Sequence, residues 1–141
     1  MSKDVSIGAA ARASGVKVPT IRYYEQIGLL PAPARSDAHR RLFGPDDLRR
    51  LSFIRHAREL GFDMEAIATL LVLQDDPHGS CATADAIARA RLAEVERRIT
   101  ALEALRGELQ RMVDECANGR VAECRVIETL ADTNHTHGRF D

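Results

Sequence analysis

Apolar residues recur with helical spacing along this 141-residue chain, interrupted by short polar segments that carry glycine or proline. Ser6 followed by Ile7-Gly8-Ala9-Ala10-Ala11-Arg12-Ala13 predicts a short helix with Ser6 as its N-cap. Ser14-Gly15-Val16 breaks it, because Gly15 can take the left-handed conformation of a tight turn. Pro19 suits the first position of a helix and opens a second one through Thr20-Ile21-Arg22-Tyr23-Tyr24-Glu25, which ends near Gly28. Leu29-Leu30-Pro31-Ala32-Pro33 cannot be helical throughout. Residues 35–43 after it read as a short basic hairpin, a wing. Gly44-Pro45-Asp46-Asp47 opens a third helix, with its carboxylates in the turn where the helix dipole favours them. Leu48, Leu51 and Ile54 share one face of that helix, and Gly61 ends it. Asp63 caps a fourth helix carrying Met64, Ile67, Leu70 and Leu71, with Gln74 before the next break.

Residues 75–80, Asp75-Asp76-Pro77-His78-Gly79-Ser80, are polar and rich in breakers, the composition of a hinge. The longest periodic stretch follows. Ala88, Leu92, Val95, Ile99, Leu102, Leu105, Leu109, Met112 and Cys116 recur at steps of three or four, with charged residues between them. This predicts one helix over 81–116 with a near-heptad seam. Its apolar stripe covers about 30 residues, roughly 45 Å at 1.5 Å per residue, and a narrow stripe of that length needs a partner helix, most simply the same helix of a second copy. Gly107 weakens the seam by about 1 kcal/mol relative to alanine. Residues 117–132 read as a loop and a short helix over 125–130, and 133–141 as a flexible polar tail with His135 and His137. The division is therefore 5–74, a helix-turn-helix module with a wing; 75–80, a hinge; 81–116, a dimerisation helix; 117–132, a loop and short helix; and the tail.

Composition agrees with a mainly α class: hydrophobic residues make up 45% and aromatics only 4%, and alanine, arginine, leucine and glutamate dominate. The formal net charge of −1 conceals an asymmetry. Residues 1–60 hold 11 Lys and Arg against 6 Asp and Glu, whereas residues 61–141 hold 9 against 15. A basic front half suits phosphates while the acidic rear half stays in solvent. No apolar run is long enough to cross a bilayer, and Met1-Ser2-Lys3-Asp4 lacks the apolar core of a signal peptide, so a cytoplasmic protein without a membrane partner is expected. Enzyme chemistry finds no support: there is no Cys-x-x-Cys, no strand followed by a glycine-rich loop and helix, and no convergent acid and base.

The three cysteines are Cys81, ahead of the long helix, and Cys116 and Cys124, which enclose seven residues including Asn118-Gly119. An odd number in a reducing compartment argues against a disulfide framework and leaves thiols free for a soft metal or for redox chemistry. Against this stands the ordinary role of a buried cysteine as a small apolar filler, which Cys116 on the apolar stripe fits best.

Taken together, Thr20-Ile21-Arg22-Tyr23-Tyr24-Glu25 with Gly28-Leu29-Leu30-Pro31, the wing string Arg40-Arg41-Leu42-Phe43, and Arg55-His56-Ala57-Arg58-Glu59-Leu60-Gly61-Phe62 resemble the MerR family of bacterial transcription regulators. The resemblance runs from about Val5 to Leu130 and is most like the branch responding to zinc, cadmium or lead. The chain departs from the family wing in carrying Arg40 where an aromatic usually precedes the arginine. The resemblance implies a homodimer held by an antiparallel coiled coil. It also implies double-stranded promoter DNA as partner, with RNA polymerase at that promoter, and activation by bending and untwisting an over-long spacer. Thr20, Arg22 and Tyr23 on the second helix would then face the duplex, and Arg40, Arg41, Arg55 and Arg58 would meet phosphates. Taken singly, each arginine reads as well as a solvated surface residue.

The same resemblance implies that an antiparallel partner brings Cys81 of one subunit to Cys116 and Cys124 of the other. Copper(I)-responsive relatives use only the two loop cysteines and have serine at the position of Cys81, whereas relatives sensing divalent ions have cysteine there. Zn(II) is thus expected first, with Cd(II), Pb(II) or Hg(II) next and Cu(I) behind them. A thiol-redox sensor on the same fold is the further alternative. Zinc prefers four ligands, and His78, three residues before Cys81, is a candidate for the fourth, with His135 and His137 further off.

Overall fold

The computed structural model describes residues 4–31, 34–35, 41–116, 119–121 and 124–138. The chain divides into two compact units, Met1–Ile87 and Ala88–Asp141. Among the described residues it is mainly helical, with a single two-stranded hairpin.

In the first unit, α1 (Ile7–Ser14) begins where the Ser6 hydroxyl accepts the Ala9 N–H at 3.2 Å, and it ends on Gly15 at φ 74°. That left-handed residue turns the chain into α2 (Val18–Gln26). The helix starts one residue ahead of the expected Pro19, which costs nothing because the first N–H groups of a helix have no intrahelical acceptor. The hairpin is as short as a ladder can be: β1 (Ala34–Arg35) runs antiparallel to β2 (Arg41–Leu42), with Ala34 opposite Leu42 and Arg35 opposite Arg41. Arg40 lies outside the described residues. Beyond β2, Val5 and Phe43 exchange backbone hydrogen bonds of 2.8 Å each, which ties the start of the chain to the wing. α3 (Pro45–Glu59) opens with the Asp47 carboxylate accepting the Gly44 N–H at 3.0 Å. α4 (Met64–Gln74) opens with Asp63 accepting the Ala66 N–H at 2.8 Å.

α1 packs on α2 and α3, and α3 on α4. Ile21 and Tyr24 of α2, Phe43 after the wing, Leu51 and Ile54 of α3, and Ile67 and Leu71 of α4 meet in the middle. Ile21, Phe43, Leu51, Ile54 and Ile67 have no exposed surface. The spacing explains it: residues three or four apart on a helix share a face. Each such side chain contributes about 1.5–3 kcal/mol relative to an exposed position.

α5 (Ala82–Asp114) supplies most of the second unit, followed by α6 (Arg125–Ala131). Both ends of α5 fall just inside the expected 81–116, so that Cys81 precedes the helix and Cys116 follows it. The Cys116 N–H closes a turn on the Val113 carbonyl at 3.2 Å, outside the helical ladder. The seam residues Leu92, Ile99, Leu102 and Leu109 are about half exposed, and Met112 is the only buried residue of α5 among those described. No helix among the described residues is long and apolar enough to cross a membrane.

Candidate nucleic-acid interface and metal centre

In the first unit, α2 presents Arg22 and Tyr23 to solvent, with Tyr24 turned into the core. The α1–α2 turn and the end of α3 border an open depression of about 410 Å³, lined by Gly15, Lys17, Thr20, Arg55 and Arg58 among others. The stem of Arg55 runs over Gly15, where a Cβ would stand 3.4 Å from its Cδ, and its Nη1 donates to Glu59 at 3.0 Å. Arg58 is exposed, its Nη1 3.7 Å from the Met64 sulfur. Cations therefore gather on the face that holds the helix-turn-helix turn. Arg55 and Arg58 lie on that face together with Lys17, which the pattern of arginines did not single out.

Arg41 does not join them. Its guanidinium turns inward: the side chain is only 8% exposed, with Nε 3.3 Å from Glu25 Oε1 and Nη1 3.7 Å from Asp47 Oδ2. It also donates to the Pro31 carbonyl at 3.3 Å and stacks over the Phe43 ring at 4.1 Å from its centroid. Two carboxylates and an aromatic face surround the charge, and this arginine braces the wing against α2 and α3. Glu25 in the recognition-helix string and Asp47 in the first turn of α3 supply those anions.

In the second unit, Cys116 and Cys124 come together. The neighbouring Cys124 thiol, through its contact and the repulsion between two sulfurs, holds the Cys116 thiol above its ordinary pKa. Cys124 sits on the cap of α6 and is held below the usual value, chiefly by the Ile127 amide and then by the Val126 amide and Cys116. Gly119, at φ 143°, lies between them in a conformation that disfavours any side chain. Both cysteines are free and partly buried. Such a pair is chemically suited to a soft ion, because a thiolate is the form that ligates it and the Cys124 thiol is shifted toward that form. Cys81 lies in the first unit, exposed and free, and His78 is exposed in the turn before it. Among the described residues, no three His, Cys, Asp or Glu side chains of one chain surround a common point that fits an ion.

His135, in the segment expected to be a flexible tail, lies against α5. Its Nε2 lies 2.8 Å from Glu108 Oε1 on α5, and its ring tilts against His137 at 5.9 Å. The sequence pattern could not reveal this, because a His-x-His near a chain end carries no periodicity.

Comparison with known proteins gives this geometry its context. A model described as MerR HTH family regulatory protein matches residues 5–73, and one described as MerR, DNA binding matches residues 48–112. The heavy metal-dependent transcription regulator 2 of Rhizobium meliloti (strain 1021) is 37% identical over 128 residues, 91% of this chain and 87% of that protein. This chain belongs to the MerR family. The regulator ZntR of Escherichia coli (strain K12) is 40% identical over 127 residues, 88% of this chain and 90% of its own length. The crystal structure of the regulator PbrR691 of Ralstonia metallidurans CH34, a lead(II) complex, aligns over 90% of this chain and 99% of its own with a TM-score of 0.76 and 35% identity. The MerR-type helix-turn-helix fold read from the motif strings is thus the fold of this chain.

Proposed function

We propose that this MerR-family chain is a metal-responsive transcription regulator that binds promoter double-stranded DNA as a homodimer and activates a metal efflux or detoxification promoter. The observation that carries the reading is the contact between the Cys116 and Cys124 thiols across a seven-residue loop. Two thiols make half of a tetrahedral site, so a divalent ion needs more donors than the loop supplies. Cys81 of the partner subunit provides the third, through an antiparallel pairing of α5 with its copy. The half-exposed seam of Leu92, Ile99, Leu102 and Leu109 supports that pairing, since it is the surface a second helix would cover. His78 is the candidate for a fourth ligand. Zn(II) is the first choice, followed by Cd(II), Pb(II) and Hg(II). The names of the relatives, a heavy metal-dependent regulator and a regulator crystallised with lead(II), support the class of ion and leave its identity open.

The bound ion supplies charge neutralisation and a fixed geometry for the thiolates. This chain's own residues do the rest: Arg22 and Tyr23 of α2 face the major groove while Lys17, Arg55 and Arg58 meet phosphates beside it. Occupancy at the end of the seam reorients the paired α2 helices, so that the dimer distorts the promoter spacer and RNA polymerase can engage it.

In vitro transcription titrated with Zn(II), Cd(II), Pb(II), Hg(II) and Cu(I) tests the proposal. Activation is expected with one or more of the divalent ions and lost in the Cys81→Ser, Cys116→Ser double variant. Full metal-dependent transcription from that variant ends the metal reading. Activation by Cu(I) alone, retained in Cys81→Ser, moves the assignment to the copper-responsive branch.

A further inference from the structure

The two loop cysteines have charged neighbours on their outer sides. Glu115 immediately precedes Cys116, and Arg125 immediately follows Cys124 as the first residue of α6. Arg125 Nε lies 2.7 Å from Glu115 Oε2, and its Nη1 lies 2.9 Å from Glu128 Oε1 one turn further along α6. The ends of the loop are therefore joined by opposite charges one residue outside the sulfurs, and Glu128 holds the guanidinium in place. We propose that Glu115 and Arg125 form a clasp that positions the Cys116 and Cys124 sulfurs for the ion before it arrives. This rests on the metal reading above but assigns a role to residues that touch no ion.

The physical basis is loop closure. An open loop of this length samples many end-to-end distances, and metal binding must select the few in which the sulfurs meet. A contact just outside the sulfurs makes that selection in advance, which is preorganisation in its plainest form. The pair is about half exposed, at 44% for Arg125 and 52% for Glu115, so the clasp is weak and screened by salt. Its effect on metal affinity is accordingly small: an exposed ion pair corresponds to about two- to fivefold.

The sign of two substitutions separates a clasp from simple electrostatics. If the two charges acted only through their fields on a cation, Glu115→Gln would weaken metal binding and Arg125→Gln would strengthen it. A clasp predicts that both weaken it, by about two- to fivefold, and that the double variant is no weaker than the worse single one. Cd(II) is the probe, since its thiolate charge-transfer absorption reports sulfur ligation, and affinity is read on the full chain by competition with a chelator at low and high salt. Wild-type affinity should fall toward that of the variants as salt rises. Opposite signs, additive losses or unchanged affinities overturn the proposal.

A second readout needs no metal. The equilibrium between the Cys116–Cys124 disulfide and a glutathione buffer measures how closely the thiols are held, with oxidised glutathione taking up the two electrons and two protons as it becomes two thiols. Mass mapping identifies the bond. Both variants should lower that constant by the same factor as the Cd(II) affinity, and an unchanged constant overturns the clasp. Absence of Cd(II)–thiolate absorption in the wild type ends the metal reading instead, and the disulfide constants then decide on the clasp alone.

Discussion

Leu51 and Leu102 are both leucines in the middle of well-formed helices, yet Leu51 has no exposed surface and Leu102 shows 57% of its own. The first unit surrounds Leu51 with Tyr24, Phe43, Ile54 and Ile67 from several elements, so its apolar residues cover one another. The second unit holds most of the 33-residue α5 and the 7-residue α6, and among its described residues only Met112 of α5 is buried. The difference teaches where this chain covers its own apolar residues and where it leaves them open, as the proposed pairing of α5 with a second copy requires. The sharpest way to break this contrast is a pair of truncations. Leu51→Ala should cost about 2–5 kcal/mol in urea melts, independent of protein concentration. Leu102→Ala should produce a loss that depends on protein concentration, together with weaker self-association in sedimentation. A concentration-independent loss of the same size at Leu102 would abolish the distinction.

Arginines make the same contrast inside the first unit, with a smaller effect. Arg41 is enclosed by Glu25, Asp47 and Phe43, and Arg58 is exposed. Arg41→Ala leaves partly buried carboxylates without their cation and is expected to destabilise by about 2–3 kcal/mol. DNA binding should then fail only as the fold fails. Arg58→Ala should leave the melt within about 0.5 kcal/mol and reduce the slope of log affinity against log salt by about 1. A normal melt with weakened DNA binding in Arg41→Ala would return that residue to the phosphate-contacting set.

The same enclosure explains what the sequence could and could not tell. Element starts were legible because they rest on local chemistry: Ser6 and Asp63 each cap the helix expected of them, Asp47 stands in the first turn of α3, and Gly15 makes the expected turn. The fold was legible because the motif strings occur together in order. The inward turn of Arg41 was not, because it depends on Glu25 and Asp47, which are 16 and 6 residues away and meet it only after folding. For the metal centre, Cys116 and Cys124 could be paired on loop length and Asn118-Gly119. The flanking Glu115 and Arg125 were legible in principle, since opposite charges stand just outside a cysteine-bounded loop, but such charges are common on any surface. The pairing of His135 with Glu108 joins the tail to a helix position 27 residues earlier and had no local sign.

Within the second unit the two thiols differ by environment alone. Cys124, at the N-cap of α6, is held below the ordinary thiol pKa, chiefly by the nearby Ile127 amide, whereas Cys116, facing Cys124, is held above it. The thiolate is the reactive form, so Cys124 should be alkylated before Cys116 when metal-free protein meets limiting iodoacetamide near neutral pH. Peptide mapping reads the order. Equal rates, or Cys116 reacting first, would mean that the amides at the start of α6 do not govern the sulfurs.

The smallest effect expected belongs to Glu108, which holds the tail to α5. Its carboxyl lies below the ordinary carboxylate pKa, first because Arg111 donates to it and also because His135 adds its charge. A depressed folded value means that the folded state favours the ionised form, so this stabilisation is present above the unfolded carboxylate pKa. It is lost as pH falls through the folded one. Thermal melts between pH 7 and pH 3 should therefore show a steeper acid-side loss for the wild type than for Glu108→Gln, which has no carboxylate to protonate. His135→Ala should fall between the two, because Arg111 remains. Parallel curves for all three proteins would show that the tail contact at Glu108 contributes nothing to the fold, and would return residues 133–138 to the solvated end that their sequence suggests.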